Sequence, residues 1–210
     1  MIHAENRVID AHTGRNVTWA DQPAVEIPAP AAVVVAASYD ALPWVKQHAR
    51  GGEELLLVAQ GRVEQALREE IDASGLNLVE ADATTVSGAP RETTQGRLWL
   101  LTSGSTGRPK QVGHTLESLT TVAGDLPPRR WLCPYSPGTY AWWQVVTLAL
   151  ARCTTVALSD EESKASPAPR DPGAPESWFL ELGATAVVVP IAIRSEGRRG
   201  TGSGEDEEKQ

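Results

Sequence analysis

Residues 31–37 read Ala-Ala-Val-Val-Val-Ala-Ala, seven in succession without a polar side chain. A run this short and this rich in valine reads as a buried strand. Residues 54–59 (Glu-Leu-Leu-Leu-Val-Ala) and 76–80 read as two more strands. Residues 41–48 between the first two read as a short helix. Residues 62–73 place Val63, Ala66, Leu67 and Ile71 at helical spacing. This strand–helix alternation predicts an α/β fold: a mostly parallel sheet with helices on both faces.

The alternation continues down the chain. Residues 81–95 read as a polar linker, 114–123 as a helix, 130–134 as a strand, 140–152 as a largely apolar helix and 154–158 as a strand. Residues 159–175, rich in Ser, Pro, Asp and Glu, read as a surface loop. A short helix over 176–182 and a final strand over 184–190 follow. Residues 195–210 contain no apolar side chain and read as a disordered polar tail, leaving one domain over 1–194.

Composition narrows the function classes. The 210 residues are 41% hydrophobic and 22% charged, ordinary values for a globular chain. The net charge of −8 argues against nucleic acid as a partner. Arg129-Arg130 and Arg198-Arg199 are isolated pairs, not a basic stripe. No apolar run is long enough to span a bilayer, and the polar opening Met1-Ile2-His3-Ala4-Glu5-Asn6 has no signal-peptide pattern. The expectation is a cytoplasmic protein with no membrane partner. Cys133 and Cys153 read as buried free thiols, with a disulfide as the alternative. His3, His12 and His48 have no metal-ligand spacing with each other or with the cysteines.

The chemistry concentrates in Thr102-Ser103-Gly104-Ser105-Thr106-Gly107-Arg108-Pro109-Lys110. The apolar run 97–101 precedes it, and the expected helix near His114 follows. Glycines let backbone N–H groups approach an anion, hydroxyls donate hydrogen bonds, and a lysine supplies charge, so the loop suits phosphate. It lacks the Gly-Lys-Ser/Thr ending of a P-loop. It also lacks a Gly-x-Ser-x-Gly nucleophile elbow.

The order Thr-Ser-Gly-Ser-Thr-Gly-x-Pro-Lys resembles the phosphate loop of the adenylate-forming superfamily. Its members include acyl-CoA and aryl-CoA synthetases, adenylation domains of peptide synthetases and luciferases. Residues 10–20 (Asp-Ala-His-Thr-Gly-Arg-Asn-Val-Thr-Trp-Ala) resemble the family opening, where a Gly-Arg turn leads into a strand and helix. Residues 184–190 resemble the family strand that runs into a proline turn. His114-Thr115-Leu116 is similar to an acyl-CoA synthetase-like subgroup. The commoner pattern has glycine where Gln111 stands and histidine where Leu116 stands.

The resemblance implies ATP, with Mg2+, as the bound cofactor. Thr102, Ser103, Ser105 and Thr106 would offer hydroxyls to the β- and γ-phosphates, Gly104 and Gly107 would expose backbone N–H groups, and Lys110 would neutralise charge or brace the loop. Tyr140, Trp143 and Gln144, with Trp142, would line the pocket of a carboxylic acid. Packing in the core is the competing reading for the tryptophans. The family also uses a Tyr-Gly-x-Thr-Glu segment, a ribose-binding aspartate and a C-terminal domain with an adenylating lysine. None occurs in these 210 residues. The resemblance therefore covers the first part of the large domain. The expectation is a catalytically incomplete chain, either completed by a second polypeptide, serving as a non-catalytic nucleotide-binding or interaction module, or an inactive remnant.

Overall fold

The computed structural model describes residues 6–10, 13–80, 83–85, 91–103, 109–120, 130–151, 155–158 and 186–187. Strands β1 (Arg7–Asp10) and β2 (Asn16–Thr18) open the chain as a hairpin. The expected β-α-β-α-β unit follows as β3 (Ala31–Val35), α1 (Leu42–Gly51), β4 (Leu55–Ala59), α2 (Gln65–Ala73) and β5 (Asn77–Glu80). Next come β6 (Ala83–Thr85), β7 (Leu98–Ser103), β8 (Pro109–His114) and the short α3 (Leu116–Leu119). The last described elements are β9 (Arg130–Cys133), α4 (Tyr140–Ala151), β10 (Thr155–Leu158) and β11 (Ala186–Val187).

These strands form two sheets. The six-stranded sheet runs β6-β5-β3-β4-β7-β8, with four parallel central strands and an antiparallel strand at each edge. The five-stranded sheet runs β11-β9-β10-β1-β2, parallel except for β2. The α/β class and the mostly parallel pairing are as the sequence implies. The partition into two sheets is new, because strand periodicity carries no information on which strands share a ladder.

Alternation along the central strands explains both cores. Ala31, Val33 and Val35 of β3, Leu55 and Leu57 of β4, and Leu98 and Leu100 of β7 face the larger core, with α4, Val45 of α1 and Val8 of β1. Ala32, Leu56 and Val58 face the opposite side, where Leu67 and Ile71 of α2 cover them and Trp99 and Leu101 pack alongside. A strand buried on both faces has no polar side to show, which is why 31–37 reads as a continuous apolar run. Leu67 and Ile71 are one turn apart, so α2 shows one apolar stripe. Burying each such side chain contributes about 1.5–3 kcal/mol.

Two local devices fix the layers. Lys46 of α1 is buried and donates from Nζ to the carbonyls of Ala20 (2.9 Å) and Gln22 (2.5 Å), tying the turn after β2 to the helix. Gly138, with φ of 80°, ends the turn between β9 and α4 against β4. A Cβ there would lie 1.9 Å from the Leu57 carbonyl oxygen, so only glycine fits that approach.

Several boundaries differ from expectation. Residues 109–114 form strand β8, and the helix expected over 114–123 starts at Leu116 and runs to Leu119, with 121–123 outside the described residues. The reason is local: Thr115 caps α3, accepting from the Ser118 N–H at 3.2 Å while Ser118 Oγ accepts from the Thr115 N–H at 3.0 Å. The expected linker over 81–95 contains β6, paired with β5. After β2 the chain turns instead of entering a helix: Asp21 accepts from the Thr18 hydroxyl at 2.7 Å, and Pro23 follows. The expected loop over 159–175, helix over 176–182 and tail over 195–210 lie outside the described residues, as does Cys153.

Candidate functional site

Strands β7 and β8 pair antiparallel from Leu98↔His114 to Ser103↔Pro109. Residues 104–108 connect them, so the Gly/Ser/Thr loop closes a hairpin and does not join a strand to a helix. The anion-attracting end of a helix is therefore absent from this part of the expected recipe. Backbone donors, hydroxyls and Lys110 are the groups this hairpin can supply. Gly104, Ser105, Thr106 and Gly107 lie outside the described residues. Thr102, the Ser103 backbone and Lys110 are described. Thr102 and Lys110 are both exposed, and the Thr102 hydroxyl donates to the Lys110 carbonyl at 3.3 Å.

The hairpin stands at a favourable edge. β7 runs parallel to β4 and β3, so its Ser103 end shares an edge with Val35 and Ala59. Ligands of open α/β sheets bind outside the carboxyl ends of the strands. The ladder between β4 and β7 comprises Leu55↔Leu98 and Leu56↔Trp99. Beyond Trp99, β7 is paired with β8 alone. Residues 100–103 and 109–112 thus form a two-stranded arm of the sheet.

β8 ends at His114, whose ring meets Tyr140 at the start of α4, with centroids 5.8 Å apart and planes tilted by 58°. His114 Nδ1 lies 3.3 Å from Ser118 Oγ. Burial holds its pKa below the ordinary histidine value, and nearby Arg97 pushes the same way. His114 is thus satisfied locally, at the end of a strand instead of a helix start.

On α4, Tyr140 and Gln144 are half-buried and one turn apart. Trp142 and Trp143 are wholly buried and meet edge to face at 5.1 Å. Trp142 donates its indole N–H to Ser38 Oγ at 2.6 Å. Both tryptophans lie in the larger core, which leaves Tyr140 and Gln144 as the pocket candidates with accessible surface. Cys133 is buried.

No family model matches the chain, and no curated protein matches it. Solved structures do. The Klebsiella oxytoca NpsA N-terminal subdomain in complex with 3-hydroxybenzoyl-AMSN aligns over 89% of this chain and 56% of its own, at 17% identity and a TM-score of 0.57. PA1221, a peptide-synthetase protein containing adenylation and PCP domains, aligns over 87% of this chain and 37% of its own, at 18% identity and 0.53. The inhibitor-bound N-terminal domain of FACL13 from Mycobacterium tuberculosis aligns over 89% and 59%, at 13% identity and 0.52.

The fold is the one shared by the N-terminal parts of these solved structures.

At these identities the likeness is one of fold, and the chain spans little more than half the length of NpsA's subdomain. Within this fold the structure also reveals groups that the sequence did not single out. Glu54, at the entry to β4, is fully buried. Its carboxylate accepts from Arg91 Nη1 at 3.0 Å, from Arg91 Nη2, from the Thr94 N–H at 2.6 Å and from the Trp99 indole N–H at 2.6 Å. Burial alone would raise its pKa. Arg91, Thr94 and Trp99 outweigh burial and hold it below the ordinary carboxylate value. Arg91 Nε also donates to the Ser74 carbonyl at 2.7 Å.

An open cleft of about 610 Å³ lies beside this network, lined by Glu70, Ser74, Arg91, Trp99, Lys110 and Gln111. The only sequence signal at Glu54 was a charge opening an otherwise apolar run. Its partners lie 37 to 45 positions away, beyond the reach of spacing arguments. Among the described residues no group of three or more His, Cys, Asp and Glu could hold a metal ion, and no helix is long and apolar enough to cross a membrane.

Proposed function

We propose that this chain binds the polyphosphate end of ATP through the β7–β8 hairpin and forms the nucleotide-proximal part of an AMP-forming ligase. Such a ligase activates a carboxylic acid as its acyl-adenylate for thioester formation. The observation that carries the reading is the position of Thr102 and Lys110, paired on adjacent strands at the carboxyl edge of a parallel sheet. Residues 102–110, between and including them, supply hydroxyl, glycine and lysine groups. The adenylate-forming fold supports it, and NpsA's complex with 3-hydroxybenzoyl-AMSN supports an acid and a nucleotide as the ligand classes.

In this reading Thr102, Ser103, Ser105 and Thr106 donate to the β- and γ-phosphates. Gly104 and Gly107 present backbone N–H groups, and Lys110 offsets charge. Catalysis of this kind is chiefly positioning and charge stabilisation. Mg2+ arrives on the triphosphate as part of the substrate, and the hairpin's own work is to bind and orient it. Tyr140 and Gln144 border the acid, with Trp143 behind them in the core. The adenine, ribose and adenylating-lysine contacts lie outside the groups assigned to this hairpin.

A phosphate-only grip is weak. Each charge-assisted hydrogen bond contributes roughly 1.5–3 kcal/mol, and association itself costs several. The expected dissociation constant for Mg-ATP is high-micromolar to millimolar, on the order of −4 to −5 kcal/mol. Calorimetric titration with Mg-ATP tests this, with Lys110→Ala as the control. Binding that the variant loses supports the assignment; equal affinity in both proteins sinks it.

A second reading, a nucleotide-binding module that works without catalysis, is favoured by one observation. Val112 is the one exposed large hydrophobic among the described residues, so they show no broad apolar face awaiting a partner.

A further inference from the structure

Gln111 occupies a position where the resembling phosphate loops carry glycine, immediately after the lysine. Here its side chain has a specific partner. Gln111 Nε2 donates to Ser74 Oγ at 3.0 Å, and Ser74 Oγ in turn donates to the Ile71 carbonyl at 2.7 Å. Ser74 caps the C-terminus of α2, and its own carbonyl receives Arg91 Nε at 2.7 Å. That node connects through Arg91 to the buried Glu54. Gln111 thus fastens β8 to the end of α2 and, through Ser74 and Arg91, to the Glu54 network.

The location gives the bond its leverage. Gln111 pairs with Leu101, beyond the last residue of β7 laddered to β4. This stretch of the hairpin is held by its internal ladder, by packing of Leu100 and Leu101 against the cores, and by the Gln111–Ser74 bond. Lys110 is the adjacent residue. The bond borders the open cleft between α2 and the hairpin, so water reaches it and the alternative to the bond is a solvated glutamine. Such a bond makes a modest net contribution, of the size that shifts a local equilibrium without deciding global folding.

We infer that Gln111 is a positioning residue for the phosphate hairpin. Its bond to Ser74 latches β8 to α2 and limits the excursions of the arm that carries Thr102 and Lys110. The latch builds on the proposed polyphosphate function, and its effect on strand mobility is measurable without any ligand.

Two measurements on the intact chain test it. Gln111→Met keeps the side chain's length and removes the donor; Ser74→Ala removes the acceptor; Ser74→Thr retains a hydroxyl. Amide hydrogen exchange across β7 and β8 is expected to accelerate about fivefold in Gln111→Met and in Ser74→Ala. The double variant is expected to be no faster than either single one, and Ser74→Thr is expected to match the parent. Mg-ATP affinity, read by calorimetry, is expected to fall by a similar factor in the same variants, with the midpoint of global unfolding nearly unchanged.

Unchanged exchange in Gln111→Met overturns the latch. Faster exchange with undiminished Mg-ATP affinity overturns the positioning role. Additive effects in the double variant overturn the direct Gln111–Ser74 coupling. A parent chain that fails to bind Mg-ATP overturns the polyphosphate reading and, with it, the positioning role; exchange then decides separately whether β8 is latched.

Discussion

The two ends of β7 are built on opposite terms. At its beginning, Leu98 is buried between β4 and β8, and the Trp99 indole donates to a carboxylate that water does not reach. Arg97 covers the Trp99 ring, with its guanidinium carbon 5.5 Å from the centroid. Four donors from three residues converge on Glu54. At its far end, Thr102 is exposed and pairs with an equally exposed Lys110, while the neighbouring β4 ladder has stopped. One strand thus joins a buried, heavily hydrogen-bonded root to an exposed polar end. A site that must close around a ligand needs both: a rigid base for aim and accessible groups at the end.

Breaking the root has the largest expected effect. Glu54→Ala strands the Arg91 guanidinium, the Thr94 N–H and the Trp99 indole together, and should cost about 3–5 kcal/mol in urea unfolding. A loss below about 1 kcal/mol would mean that the root is not where β7 is held. Trp99→Phe keeps a ring under Arg97 and removes one of the four donors; about 1–2 kcal/mol should go. At the tip the contrast reverses. Lys110→Ala should change stability by no more than about 0.5 kcal/mol while Mg-ATP affinity drops tenfold or more. A destabilised Lys110→Ala would show that the tip is part of the scaffold after all.

Acid should sharpen the same distinction in two stages. Burial depresses the pKa of His48, whose Nδ1–H donates to the Glu53 carbonyl at 2.6 Å. The unfolded chain therefore protonates this group first, and stability falls once the pH drops below about 6.5. His114 is lowered in the same direction. Glu54 is a depressed carboxyl. Its contribution is complete above its ordinary value, near pH 4.5, and is lost as the pH falls through its lower folded value. Urea midpoints across pH 8 to 3 should show both declines, and Glu54→Gln should shrink the second, to which the depressed carboxyls of Asp21 and Glu80 also contribute.

Much of the root's surroundings was legible in the sequence. The runs at 31–35 and 55–59 are apolar because both faces of β3 and β4 are covered, and Leu67 and Ile71 announced the buried stripe of α2. The phosphate-like stretch was legible as chemistry, since hydroxyl, glycine and lysine act through their types. Its setting was not. Residues 109–114 carry one aliphatic side chain, Val112, between Gln111 and Gly113, and a strand at a sheet edge needs no stronger signal than a partner to pair with. The Thr115/Ser118 cap was the available clue that the helix starts late. Glu54, Arg91 and Ser74 were invisible for another reason: their roles arise from hydrogen bonds across 17 to 45 positions, and no local pattern encodes such distances.

The close approach of Gly138 to β4 carries a consequence for ancestry. The turn before α4 meets the Leu57 carbonyl with no room for a single added carbon. A substitution there cannot be absorbed by repacking, because the obstacle is main chain on both sides. Related chains that dock the β9–α4 turn in this way should therefore retain glycine at this position even where every neighbouring side chain has drifted. An invariant glycine in an otherwise diverged alignment would be a fossil of how the two sheets meet, readable without solving another structure.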